Sequence, residues 1–226
     1  MKLKNEKEAL QAFCAEDRPH LCRPFINDKD NGRLFASDGY VMVLVDSGLL
    51  QEAYDTDSQR IPELGREFMS KEILFDDIEE ASKTIKLVPE MKPKDGIMKD
   101  CDECGGTGVV DFEYMDKKRH YHYKEFDCPV CGGDGINPDY EMVETGRMIA
   151  PPKTVFHIEE GYFGAQLVQR CLWAFRVMGF DRMTLKYASK MQANVFDICE
   201  GFKFVIMPTK IDEETQVVEL PNRKND

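Results

Sequence analysis

The sequence predicts an α+β protein in which helices pack on antiparallel sheet and a small metal-bound β-hairpin module is inserted. Two observations carry this. A helix followed by three strands occurs near each end of the chain, an order that reads as a duplicated unit. Between the two copies, the octapeptide pattern Cys-x-x-Cys-x-Gly-x-Gly occurs twice, at 101–108 and 128–135.

The first helix is expected over 5–16, with Asn5 as its cap, Glu8 completing a capping box, and Ala9, Leu10, Phe13 and Cys14 as its apolar stripe. Arg18-Pro19 ends it. Strands follow at about 21–26, 32–37 and 40–45. Asn31-Gly32 and Asp38-Gly39 supply the turns between them. The region 47–98 holds Pro62, Pro89 and Pro93, and a helix is expected from Ser70 to Ala81 with Ile73, Leu74 and Ile78 inward. Residues 92–96 read as a linker. The clearest helix spans 161–178, where Phe163, Leu167, Cys171, Leu172, Phe175 and Met178 recur at helical spacing and Gly179 is the stop. Trp173 on this helix reads as packing. Strands at 182–188, 193–199 and 202–207 complete the second copy. The expected organisation is a body at 1–98 and 138–208, an insert at 99–137, and a polar tail at 209–226 that frays.

Lys and Arg total 30 against 42 Asp and Glu, a net charge of −12. That balance argues against indiscriminate wrapping of nucleic acid but leaves room for a local basic face. No apolar run approaches the ~20 residues of a membrane span. The N-terminus has no apolar signal region, so a cytoplasmic protein without membrane attachment is expected. The chain holds no Walker-type loop, no Gly-x-Ser-x-Gly and no His-Glu-x-x-His. His157 sits in an alternating strand-like stretch and reads as structural, and Asp76-Asp77 with Glu79-Glu80 as a solvated helix face. The expectation is a non-enzyme.

In a cytosolic chain, paired Cys-x-x-Cys points to metal rather than disulfides. Cys101, Cys104, Cys128 and Cys131 are the expected metal ligands. Two residues between thiols let both reach one ion, and the glycines let the backbone fold over it. Four thiolates suit one Zn²⁺ per chain in a closed tetrahedral site, which holds structure and leaves no position for a catalytic water. An iron–sulfur cluster is the rival four-cysteine reading; the Gly-rich knuckle spacing favours zinc. Val109–Tyr114 and His120–Phe126 are expected to form the hairpin between the knuckles, with His120 and His122 facing solvent. Cys14, Cys22, Cys171 and Cys199 read as small core residues.

The repeated octapeptide resembles the cysteine-rich domain of DnaJ-type chaperones. Two repeats suffice for one zinc, and the chain lacks the His-Pro-Asp signature of a J-domain, so the resemblance implies the local zinc fold. It also implies the alternative function: a chaperone-like adaptor whose zinc hairpin binds protein partners.

The body resembles bacterial DNA sliding clamps, the DNA polymerase III beta-subunit family. The residues that carry this are Gly32–Val43 with its Ala-Ser-Asp-Gly turn, Tyr162–Val168 at a helix start, and Phe202–Pro208 ending in Met-Pro, in blocks at 5–46 and 155–208. The resemblance implies a DNA-clamp-like fold in which Lys4, Lys7, Gln169, Arg170 and Arg176 face DNA phosphates without reading sequence. The ordinary alternative for these five is a solvated helix face. Sliding clamps carry three such domains per chain, and a single one closing a ring would need roughly six copies, so the resemblance implies a homo-oligomer. It implies a DNA-associated binding or scaffolding role, in replication or on a mobile element.

Overall fold

The computed structural model describes residues 2–15, 18–58, 64, 68–94, 99–137 and 141–221. The chain forms two compact units, Met1–Leu87 with Ala150–Asp226, and Val88–Ile149.

In the first unit the chain runs α1 (Glu6–Gln11), β1 (Phe25–Asn27), β2 (Arg33–Ser37), β3 (Val41–Val45), β4 (Thr56–Asp57), β5 (Lys71–Leu74) and α2 (Phe75–Ser82). The second unit holds β6 (Val88–Pro93), β7 (Val109–Met115), β8 (Tyr121–Asp127) and β9 (Met142–Ile149). The first unit then resumes with β10 (Thr154–Ile158), β11 (Gly161–Gly164), α3 (Ala165–Met178), β12 (Arg182–Tyr187), β13 (Asn194–Cys199), β14 (Phe202–Ile206) and β15 (Gln216–Glu219).

Eight strands form one sheet in the order β4-β1-β2-β3-β14-β13-β12-β5. The meander β1-β2-β3 meets the meander β14-β13-β12 at the β3–β14 pair, which runs antiparallel from Val41↔Ile206 to Val45↔Phe202. The repeated helix-plus-three-strands order of the sequence is thus realised as two halves mirrored about one seam. All ladders in this sheet are antiparallel except β1–β4 at the edge.

Val41-Met42-Val43-Leu44-Val45 is apolar at every position because both faces are covered there, and all five are buried. Val41, Val43 and Val45 join Phe202, Phe204 and Ile206 beneath the helices. Met42, Leu44 and Val205 join Phe25 and Phe35 in a second cluster, against which Leu21, Leu64 and Ala193 pack. Phe175 of α3 is the hub of the helix side, with ring centroids 5.3 Å from Phe13, 5.8 Å from Phe75 and 5.1 Å from Phe204.

Several expected elements differ. The first helix is shorter than 5–16, and Asn5 does not cap it: it takes a left-handed φ of 46° with no side-chain cap bond. Glu6 is buried instead, its carboxylate accepting the amides of Gln51 and Glu52 at 2.8–2.9 Å and the Tyr54 hydroxyl at 3.3 Å. The expected helix from Ser70 begins as β5, because Lys71–Leu74 pairs with β12. Likewise 161–164 is strand β11, paired with β10, and α3 starts at Ala165. Gly179 does end α3, at φ 96°. Lys92 and Pro93 of the expected linker lie in β6, while 95 and 96 fall outside the described residues. Part of the expected polar tail is ordered: β15 pairs in parallel with β10 and buries Val218. Trp173 is 46% exposed, on the side of α3 away from the core. Of the four scattered cysteines, Cys14 and Cys171 are buried and Cys199 is half-buried, but Cys22 is exposed.

Two predictions follow from this packing. Phe204→Ala removes a ring shared by Phe13, Phe175 and Phe196 and is expected to cost about 3–5 kcal/mol in urea unfolding. Burial pushes the Cys14 and Cys171 thiols up to about 12. In native protein, iodoacetamide is therefore expected to label Cys22 and to spare Cys14 and Cys171, as read by peptide mass spectrometry.

Candidate metal centre and helix face

The 88–149 unit has little apolar core. Cys101, Cys128 and Cys131 are its buried cluster, with Cys104 and Val110 packed against them. The two octapeptides fold alike and lock together. The Cys101 amide donates to the Gly135 carbonyl at 2.8 Å, and the Cys128 amide to the Gly108 carbonyl at 2.8 Å. Within each knuckle an amide points at a thiol: Gly108 N–H to Cys104 Sγ at 3.3 Å, Gly135 N–H to Cys131 Sγ at 3.2 Å.

Gly108 and Gly135 explain why the pattern demands glycine. Both have positive φ, 77° and 73°. A Cβ on Gly108 would stand 2.2 Å from the Gly133 carbonyl oxygen, and one on Gly135 would stand 2.4 Å from that of Gly106. The knuckles approach so closely that only a hydrogen fits between their backbones.

All four Sγ atoms lie within 4.8 Å of one another. Cys101 and Cys128 are 3.8 Å apart at sulfur, as are Cys104 and Cys131. That is far beyond the ~2.05 Å of a disulfide. It matches the edge of a tetrahedron built on metal–sulfur bonds of about 2.3 Å, whose sulfurs stand about 3.8 Å apart. The set can hold one metal ion. The thiols are electrostatically unequal. Burial raises Cys104, but the Gly108 and Gly106 amides and the neighbouring thiols outweigh it and bring it down to about 7. The Cys104 amide favours the Cys101 thiolate, yet desolvation and the thiols of Cys128 and Cys104 take Cys101 up to about 11.

Between the knuckles, β7 and β8 pair over seven residues from Val109↔Asp127 to Met115↔Tyr121. His120 and His122 are exposed and face the Asp116 carboxylate at 3.3 and 3.4 Å, outside the thiol cluster.

The five residues expected at a nucleic-acid face all lie in the first unit, on or beside α1 and α3, which pack against each other. Lys4 and Lys7 are exposed, and neither carries an ion pair among the described residues. Gln169 is half-buried. Arg170 is paired with the buried carboxylate of Asp38. Arg176 is paired with Asp76 and, at 2.8 Å, with Glu79, and sits 5.5 Å over the Phe75 ring. Two of the five thus present free charge, and two are engaged inside the fold. The acidic face of α2 is the partner of Arg176 rather than a merely solvated surface. Nothing in the sequence pattern signals the Asp38–Arg170 pair, whose members stand 132 residues apart. It lines a groove of about 460 Å³ with Tyr40, Gln166 and Leu167.

No family model matches the chain, and no curated protein matches it. Among solved structures it is similar to bacterial sliding clamps. The DNA polymerase III beta subunit of Pseudomonas aeruginosa aligns at TM-score 0.41 and 10% identity, over 93% of this chain and 67% of that one. The Thermotoga maritima beta subunit aligns at 0.40 and 11%, over 91% and 63%. A putative beta subunit from Eubacterium rectale aligns at 0.39 and 13%, over 91% and 63%. The chain spans under two thirds of the length of the latter two. At these scores the similarity defines neither a family nor a function for this chain.

The knuckle geometry makes two expectations. Gly108→Ala and Gly135→Ala each force apart the knuckle backbones, so metal stoichiometry is expected to fall well below one per chain in native mass spectra. A thiol near 11 is protonated at neutral pH, and the metal must displace that proton. Metal affinity is therefore expected to rise with pH between about 6 and 8, measured by competition with a chromophoric chelator.

Proposed function

We propose that this protein is a non-catalytic, zinc-stabilised scaffold that acts in association with DNA. The zinc would be held by Cys101, Cys104, Cys128 and Cys131. Four converging thiols fill a tetrahedral shell and leave no open position for water or substrate, which supports a structural rather than a catalytic ion. A sulfur cage no wider than 4.8 Å suits one ion and is too tight for a multi-iron cluster with its own bridging sulfides.

The single observation that carries the DNA reading is the pairing of α1 and α3 over the continuous sheet, which sets Lys4 and Lys7 out as uncommitted cations. Such side chains neutralise phosphates without reading bases. Arg170 and Arg176 would support the face through their internal pairs rather than through phosphate contacts. The chain's own motifs, shared in pattern with sliding clamps at 32–43 and 202–208, meet at the β3–β14 seam beneath these helices.

The test uses Lys4→Glu plus Lys7→Glu in the full chain, because reversing Arg170 or Arg176 would also strand Asp38, Asp76 or Glu79. Wild type is expected to bind a labelled duplex at low salt. In the double variant the slope of log affinity against log salt is expected to shrink by about two. Absence of duplex binding at low salt by folded, metal-loaded protein would overturn the DNA reading.

A further inference from the structure

The β7–β8 ribbon sorts its charged side chains by face. Directly paired residues of an antiparallel ladder share a face. One face carries the pairs Val110↔Phe126, Phe112↔Lys124 and Tyr114↔His122. Phe112 and Phe126 meet edge to face at 5.3 Å, Tyr114 stacks on His122 at 4.9 Å, and the Lys124 ammonium lies 4.7 Å from the Phe126 ring centre. The opposite face carries the carboxylates Asp111, Glu113, Glu125 and Asp127 together with the exposed side chains of Val109, Met115, Tyr121 and Tyr123.

These aromatics do not build a core. Phe112 is 52% exposed and Tyr114 is 59% exposed. An isolated two-stranded ribbon gains little from displaying large apolar rings to water. The tip adds charge of one sign. Lys117, Lys118 and Arg119 are exposed, and none has a carboxylate partner among the described residues. Asp116 lies within the turn, but its carboxylate is spent on the loop, accepting the Lys118 and His120 amides at 2.8 and 2.9 Å. The turn is thereby fixed in shape, with Arg119 at φ 64°.

We propose that the Phe112–Tyr114 face of this ribbon binds single-stranded nucleic acid, with bases stacking on Phe112 and Tyr114 and phosphates meeting Lys124 and the Lys117-Lys118-Arg119 tip. Flat rings beside uncommitted cations are the combination that holds unpaired bases and their backbone without reading sequence. Phe112 and Tyr114 are about 6.8 Å apart along the strand, so neighbouring bases of an extended strand can each reach a ring. On the other face Tyr121 and Tyr123 also offer rings, but the four carboxylates beside them repel phosphate, so the paired rings and cation of the Phe112 face are the favoured side. A duplex keeps its bases stacked internally and offers only its phosphates. The ribbon site goes beyond the helix-face reading and stands on separate residues.

The test is fluorescence anisotropy of the zinc-loaded full chain with labelled oligothymidylate of about twenty nucleotides. Phe112→Ala plus Tyr114→Ala is expected to weaken binding about tenfold or more with metal content and circular dichroism unchanged. Lys117→Glu plus Lys118→Glu is expected to weaken it and flatten its salt dependence. The Lys4→Glu, Lys7→Glu variant is expected to keep it. The inference is overturned if folded protein does not bind the oligonucleotide, or if both ribbon variants bind as wild type does. It is equally overturned if poly-L-glutamate displaces the probe as readily as unlabelled oligothymidylate, which would mark a site for acidic protein. Wild-type protein that binds oligothymidylate but not duplex would remove the helix-face reading and leave this one standing.

Discussion

The first unit depends on the β3–β14 ladder. Each half supplies a three-stranded meander and a helix, and neither half alone covers both faces of its innermost strand. Joined at Val41–Val45 and Phe202–Ile206, the two meanders become one sheet with an apolar layer on each side. The helices follow from that. Phe175 packs on Phe202 and Phe204, and Phe13 on Phe204, rings that project from the seam. This ladder joins residues some 160 positions apart, so the loop-closure cost of the intervening chain must be met before its packing is gained.

The second unit answers a different problem. Strands β7 and β8 are almost wholly exposed on both sides, and among the described residues its buried apolar centre is sulfur. A segment of this kind lacks the apolar surface to offset its own ordering entropy. Its folding must come from the ligand bonds at the thiol cluster and from the backbone bonds that tie knuckle to knuckle. Gly108 and Gly135 serve both, since the same close approach that excludes a side chain brings the four sulfurs to tetrahedral spacing.

Charge is organised locally rather than by the net −12. Arg170 and Arg176 are bound to carboxylates of the fold, whereas Lys4, Lys7 and the 117–119 tip have no carboxylate partner among the described residues. Glu6 is buried against two backbone amides and so fixes the 51–52 segment to α1. Total charge therefore says little about which surface meets an anionic partner.

The sequence by itself determined the local features whose cause is local. The twin Cys-x-x-Cys-x-Gly-x-Gly repeats named the four thiols, the alternating and turn-bounded runs placed five strands of the main sheet and the last two residues of the expected 21–26 strand, which is realised as Phe25–Asn27, and Gly179 marked the end of α3. The exposed hairpin was legible for the same reason, since its strands lie within one short segment. Tertiary structure alone decided which stretches left the helical pattern. Lys71–Leu74 and Gly161–Gly164 read as helix by apolar spacing, but each meets a strand edge, β12 or β10, whose ladder satisfies its backbone. Val218 looked like tail until β10 offered it an edge. Trp173 looked like core until the helix's orientation turned it outward. The pairing of Arg170 with Asp38 belongs to the same class. Each is set by partners distant in sequence, and a periodicity read in one window carries no information about them.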